Sequence, residues 1–219
     1  MSDVVIFGAG QVAEAIWHYL AHESEHRPVA FTVDGEYIVK DEHLGLPVVA
    51  FERVQEQFPP ESCGVFVAMS YRKLSAPRAA KLAEAEAKGY TAIGYVHPRA
   101  ATPPGFVAQP NTFIMEHNTI QPFVQIGRNV ILWSGNHVGH HSRIADNCFI
   151  SSHVVISGGV SIGANSFLGV NATLRDNITI GSHNVIGAGA LILKDTADYA
   201  VYPGKGTEPA ALRSDQLRS

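Results

Sequence analysis

Three histidines fall within the six residues Asn136-His137-Val138-Gly139-His140-His141. An imidazole with an ordinary pKa of ~6.5 can take up and return a proton at neutral pH, so this run is a candidate for general acid or base work. Nothing in the packing of the surrounding repeat asks for histidines there, unlike His18, His22, His26, His43 and His183, which read as polar surface residues. His18, His22 and His26 are spaced by four and could meet on a helix face, but no fixed third zinc ligand accompanies them. A second constellation opens the chain: Gly8-x-Gly10-x-x-Ala13, with Asp34 lying 24 positions after Gly10. Glycines at a strand-to-helix turn let backbone N–H groups and the helix N-terminus approach a phosphate. Cys63 and Cys148 sit among apolar or small residues and are too few for a disulfide framework or a structural zinc site, so both are expected as buried free thiols.

The elements that must carry the histidines repeat with a period of six. From Ile114, steps of six give Ile120, Ile126, Leu132, Val138, Ile144, Ile150, Ile156, Ile162, Leu168, Leu174, Ile180, Ile186 and Ile192, fourteen branched aliphatics in a row. The next residue is often small (Gly127, Gly139, Gly163, Gly169, Gly181, Gly187), and the one two places before is small or β-branched (Val130, Ser142, Cys148, Val154, Val160). An α-helix repeats at 3.6 and an amphipathic strand at 2, so neither competes. Six residues per side predict a left-handed parallel β-helix, a triangular prism with aliphatics stacked inside and small residues at its tight turns. Prisms of this kind have flat faces, and association as a homotrimer about a three-fold axis is expected.

The first half reads differently. Val4–Phe7 is a buried strand, Val12–Leu20 an amphipathic helix with Ala13, Ile16, Trp17 and Leu20 inward, and Val29–Val33 a second strand ending at Asp34-Gly35. Gly64–Ala68 and Thr91–Ile93 are further strands around a helix over Leu74–Lys88, an alternation that predicts a parallel sheet with helices on both faces. The texture changes near His97-Pro98-Arg99 and Pro103-Pro104-Gly105, so the predicted domains are a small Rossmann-like α/β unit at 1–97 and an all-β helix at 98–197, followed by a tail at 198–219. An α/β unit of this size holds one mononucleotide-binding half, too little for a dinucleotide dehydrogenase. The same backbone donors suit the pyrophosphate of a nucleotide carrying a sugar, with a turn that only packs helix on strand as the plain alternative.

Charge narrows the partners. The 219 residues are 46% apolar and 16% charged, with a formal charge of -4 and no Lys/Arg run, which lacks the footprint of a nucleic-acid or anionic-membrane binder. Asp3 stands where a leader would be positive, and no stretch approaches the ~20 apolar residues of a membrane span, so a soluble, cytoplasmic protein is expected.

Together these features resemble the hexapeptide-repeat sugar acyltransferases of the sialic acid O-acetyltransferase and bacillosamine-pathway N-acetyltransferase type. The resemblance rests on VVIFGAGQVAEAI, FTVDG, VFVAMSYRKL, GYVHP, VGHHSRIADNCFISSHVVISGGVSIG, FLGVNATLRDNITIG and VIGAGALILKD. It implies acetyl-CoA as cosubstrate, a nucleotide-linked amino-deoxysugar as acceptor, direct transfer and no metal. The family's catalytic histidine matches His140 in Val138-Gly139-His140-His141-Ser142-Arg143-Ile144, with His141 in place of the usual acidic neighbour and Asp146 as a carboxylate that an adjacent coil could supply. One coil of 18 residues later, the backbone of Gly158 is the implied oxyanion donor. The resemblance places the pantetheine arm along Val170 and Ala188 and a CoA phosphate near Lys205. The nucleotide is expected on Gly8, Gly10, Gln11, Asp34, Gly35 and the Ser70-Tyr71 turn, with His137 and His153 as further substrate contacts. Three rivals remain: acetylation of a sugar hydroxyl, a hydrolytic or hydrating metalloenzyme with zinc on shared histidines, for which His117 and His153 lie two coils apart without a third ligand, and a non-catalytic nucleotide-sugar-binding trimer.

Overall fold

The computed structural model describes residues 2–208 and 211. Its first half holds β1 (Ser2–Phe7), α1 (Gln11–His22), β2 (His26–Val33), β3 (Glu42–His43), β4 (Leu46–Ala50), α2 (Val54–Gln57), β5 (Cys63–Val67) and α3 (Ala76–Ala87). The sheet order is β3-β4-β2-β1-β5, parallel except where β3 pairs antiparallel with β4. Ala13, Ile16 and Leu20 of α1 pack on one side of this sheet, and Leu82 and Ala85 of α3 on the other. Trp17 is only half-buried. No helix among the described residues is long and apolar enough to cross a membrane.

Three sequence expectations shift here. The helix expected from Leu74 starts at Ala76, because Lys73, Leu74 and Ser75 hold φ of 49°, 52° and 63°, a left-handed turn that no right-handed helix can include. The expected strand at Thr91–Ile93 is reduced to a single bridge between Val65 and Ala92. Conversely, β4 was not evident from pattern; its Pro47 and short apolar run suit a strand near the sheet edge.

The second half is the left-handed parallel β-helix that the period predicted. Two-residue strands pair in parallel at steps of 18, as in His137 with Thr119 and Val155, and build three faces. The first face runs Tyr95–Val96, Phe113–Ile114, Ile131–Leu132, Phe149–Ile150, Phe167–Leu168, Val185–Ile186 and Val201–Tyr202. The second runs from Thr119–Ile120 through His137–Val138 to Leu191–Ile192, and the third from Gln125–Ile126 through Arg143–Ile144 to Thr179–Ile180. The first rung thus precedes the His97-Pro98 punctuation, and the last is lent by the tail. All fourteen aliphatics of the repeat are buried in one continuous core. Where a glycine follows the aliphatic, contact between coils demands it: a Cβ on Gly139 would lie 2.5 Å from the nitrogen of Gly158.

Three places before every interior aliphatic, the chain turns a corner through the left-handed region. Asn111, His117, Phe123, Asn129, Gly135, His141, Asn147, His153, Gly159, Asn165, Asn171, Asn177, His183 and Gly189 all hold φ between 55° and 77°. Asn, His and Gly are the residues that tolerate this backbone best. The expectation that the repeat asks for no histidine within 136–141 is therefore corrected for His141: the corner itself favours it, as it does His117, His153 and His183.

The first face is covered by the α/β unit. Phe113, Ile131 and Phe149 join Val4, Ile6, Ile16, Phe31 and Phe66 in a core that crosses the domain junction, and Tyr71 lies over Phe167 and Phe149 at ring separations of 4.3 Å and 5.1 Å. Tyr19 donates to Glu116 at 2.8 Å, and His97 Nε2 meets Glu23 at 2.8 Å, so α1 is strapped to the prism at two points. Arg78 is fully buried and gives its guanidinium to Asn129 Oδ1 and the carbonyls of Met69, Asn129, Asn147 and Cys148. Burial pulls its pKa down to about 10, which still leaves it charged at neutral pH. Arg78→Met strips five oxygens of their donors at once; a loss of about 2–4 kcal/mol in folding stability is expected, read by denaturant unfolding.

Candidate active site

His140 and Gly158 occupy the corner between the second and third faces on consecutive coils. His140 is exposed, and its ring edge lies against the bare side of Gly158: a Cβ there would come within 2.8 Å of both Cε1 and Nε2. At this place in the turn the backbone N–H points out of the prism. Arg128 N–H is taken by Asp146 Oδ1 at 3.0 Å, Ser182 N–H by Asp198 Oδ1 at 2.7 Å, and His140 N–H by Gln121 Oε1 at 2.8 Å. Gly158 N–H has no hydrogen-bond partner among the described residues. An outward donor beside an exposed imidazole is the arrangement needed to hold a developing oxyanion while a proton is removed nearby.

His141 follows in the same corner, with Nδ1 of the two histidines 3.1 Å apart. Its backbone N–H reaches the Pro122 carbonyl at 3.2 Å, and its ring leans on Phe123 with centroids 4.7 Å apart. Asp146, expected as a stand-in carboxylate, lies one corner further on and is engaged with Arg128, so it does not serve His140. Gln121 and Phe123 escaped the sequence reading, although the period alone places Phe123 one coil before His141.

His137 lies on the second face, half-buried. His153, Val170 and Ala188 stand on the opposite edge of that face, at the corner between the first and second faces, where His153 packs its ring on Gly135. His117 and His153 share this corner with Gly135 between them, and among the described residues no three His, Cys, Asp or Glu side chains gather as a metal-binding group. His18 and His22 lie with tilted rings 4.8 Å apart, while His26 starts β2 and bonds Ser2. Lys205 is exposed beyond the last rung. Cys148 is interior, its thiol pushed up to about 12 by burial, which removes it as a nucleophile.

The nucleotide-type residues gather at the carboxyl ends of β1, β2 and β5. Gly8 holds φ of 119° and lets β1 lie against β5, since a Cβ there would sit 2.8 Å from the Ala68 carbonyl. Gly10 caps α1 with open space around it and no side-chain cap, and Gln11 is exposed beside it. Asp34 is paired with Lys81 at 2.8 Å, and Gly35 N–H points at the Glu52 carboxylate at 3.1 Å, two partners that sequence separation concealed. Ser70 is half-buried, and Tyr71 contributes to the domain junction as well as to this edge. Cavities of about 890 Å³, against Arg128, Arg143 and Asp146, and about 760 Å³, against Glu23, His26 and Tyr95, lie away from His140. His140 and Gly158 stand instead on an open edge of the prism.

Residues 123–158 and 159–194 each match the bacterial transferase hexapeptide family (six repeats). No curated protein matches the chain. Among solved structures, it is similar to a histidine-to-asparagine variant of perosamine N-acetyltransferase from Caulobacter crescentus in complex with CoA and GDP-perosamine, with 25% identity over 94% of this chain and 98% of that one and a TM-score of 0.81. It is also similar to the acetyltransferase domain of PglB from Neisseria gonorrhoeae FA1090 (23% identity, 96% and 100% covered, TM-score 0.81). A third likeness is to WeeI from Acinetobacter baumannii AYE (15% identity, 93% and 97% covered, TM-score 0.77). In each case the match runs through both domains, in the same order.

Proposed function

We propose that this chain, in which residues 123–194 carry the bacterial transferase hexapeptide repeat and both domains share the fold of a perosamine N-acetyltransferase, moves an acetyl group from acetyl-CoA to an amino group of a nucleotide-linked amino-deoxysugar. The observation that carries this reading is the exposed His140 ring lying against Gly158, whose outward N–H is free among the described residues. His140 Nε2 takes the proton that the acceptor nitrogen sheds as its lone pair attacks the thioester carbon. Gly158 N–H donates to the carbonyl oxygen as it gains charge, and the protonated His140 returns its proton to the departing sulfur. Alignment of two bound reactants supplies much of the rate, without a covalent acyl-enzyme.

Residues 1–97 would hold the nucleotide at the open end of α1, residues 98–197 would carry out transfer, and residues 198–219 form the tail, of which 209, 210 and 212–219 lie outside the described residues. Small or apolar Val170 and Ala188 suit a pantetheine arm, yet they stand on the opposite edge of the second face from His140. A groove lined by both edges needs a second copy, which supports a homotrimer; a mass of about three chains in multi-angle light scattering is expected.

The reading is tested by following release of the CoA thiol from acetyl-CoA with GDP-, UDP- and dTDP-linked 3-amino and 4-amino sugars. Release that requires one amino sugar is expected. Release only with hydroxyl acceptors such as sialic acid moves the activity to O-acetylation, and nucleotide-sugar binding without release makes the chain a binding protein.

A further inference from the structure

Resting on the reading that His140 is the base, we infer that His141 is a positioning residue that fixes the His140 tautomer through the Nδ1···Nδ1 hydrogen bond. Two imidazole nitrogens 3.1 Å apart need one N–H and one lone pair between them. If His141 donates, a neutral His140 carries its hydrogen on Nε2 and is no base. If His140 donates, its Nε2 presents a lone pair on the ring edge that faces Gly158. Only the second arrangement survives proton uptake unchanged: an imidazolium has a hydrogen on both nitrogens, so His141 must offer the lone pair.

The surroundings hold His141 to that task. The left-handed corner sets its backbone, and the ring leans on Phe123. Phe123 is itself the odd member of the corners: every other one is Asn, His or Gly, whereas a bulky aromatic at φ 67° is strained and 72% exposed. Strain of that kind persists where something is gained from it, and here the ring is the surface against which His141 rests. The groups facing the pair are Gln121, Pro122 and Phe123 from the preceding coil, Gly158 and Gly159 from the following one, and Gly139 and Ser142 in the corner itself. None is charged, and among the described residues no carboxylate bonds either ring. The acceptor offered to His140 Nδ1–H is thus a neutral imidazole lone pair in place of a carboxylate.

The test keeps the corner backbone and changes only the acceptor. His141→Gly permits the left-handed turn but offers nothing to His140; His141→Asn permits it, as at six other corners, and offers Oδ1. With wild-type stability confirmed by thermal unfolding, the glycine variant is expected to lose kcat by about ten- to a hundredfold, with the acid limb of kcat/KM moved to lower pH. The asparagine variant is expected to recover most of that loss. Equal activity in glycine and wild type, or equal loss in both variants, overturns the inference. Nitrogen-15 NMR of histidine-labelled protein without substrate reads it directly: a protonated Nδ1 and bare Nε2 on His140 are expected, and the opposite tautomer overturns it. If His140→Ala instead keeps full activity, it is the base assignment that has failed.

Discussion

His140→Ala is expected to lower kcat by about 10²- to 10⁴-fold while leaving the thermal unfolding midpoint close to wild type. The ring is exposed and its side-chain bonding is confined to His141, so removal opens no cavity and strands no buried partner. Loss of proton transfer alone falls on kcat and kcat/KM together, because the group acts in the transition state and contributes little to holding the ground-state substrates. Steady-state kinetics with a responsive acceptor, paired with a melting curve, checks both halves. Unaltered turnover would remove His140 from the chemistry.

Gly158→Ala is expected to cost about 10- to 1,000-fold in kcat, again with the fold intact. The backbone at this position is within reach of any residue, since Gly158 is absent from the positive-φ glycines. Its new methyl group would meet the far end of a movable side chain, at 2.8 Å from His140 Cε1 and Nε2. The histidine swings away, and the methyl group occupies the space beside the N–H. Much of the damage passes through His140, so the two substitutions should fall well short of additive when combined. Gly159→Ala is the contrasting control: with φ of 70° and Asn177 Oδ1 only 2.4 Å from the new Cβ, it should lower stability first.

Much of this architecture was legible because a coiled prism turns spatial neighbours into a sequence interval. A step of 6 finds the core, and a step of 18 sets His140 beside Gly158 and Phe123 beside His141. The same arithmetic sends Asp146 to the next corner, six residues beyond His140, which the reading by resemblance overlooked. The corner histidines were misread for want of one rule, that the place three before each aliphatic is left-handed and prefers Asn, His or Gly. What stayed hidden depends on contacts without an interval. Arg78, Lys81 and Glu52 come from the α/β unit, and their bonds to Asn129, Asp34 and Gly35 follow from how strands and domains pack, which no local pattern encodes.

The corner rule also governs how this half of the molecule can change length. A single residue inserted between 115 and 190 would slide every later aliphatic off the interior and every later left-handed corner onto a residue that resists it. Insertions in multiples of six keep the aliphatics and corners in phase but move every later strand to the next face. Only whole coils of 18 residues also keep each strand on its own face, so duplication or loss of a complete turn is the smallest heritable step that leaves all three faces in register. The end of the chain escapes this constraint: Val201 pairs with Val185 across a step of 16, because no further coil inherits its phase. In a deep insertion and deletion scan, tolerance should therefore vanish at Met115 and return after Ile192, drawing the limits of the repeat without reference to any structure.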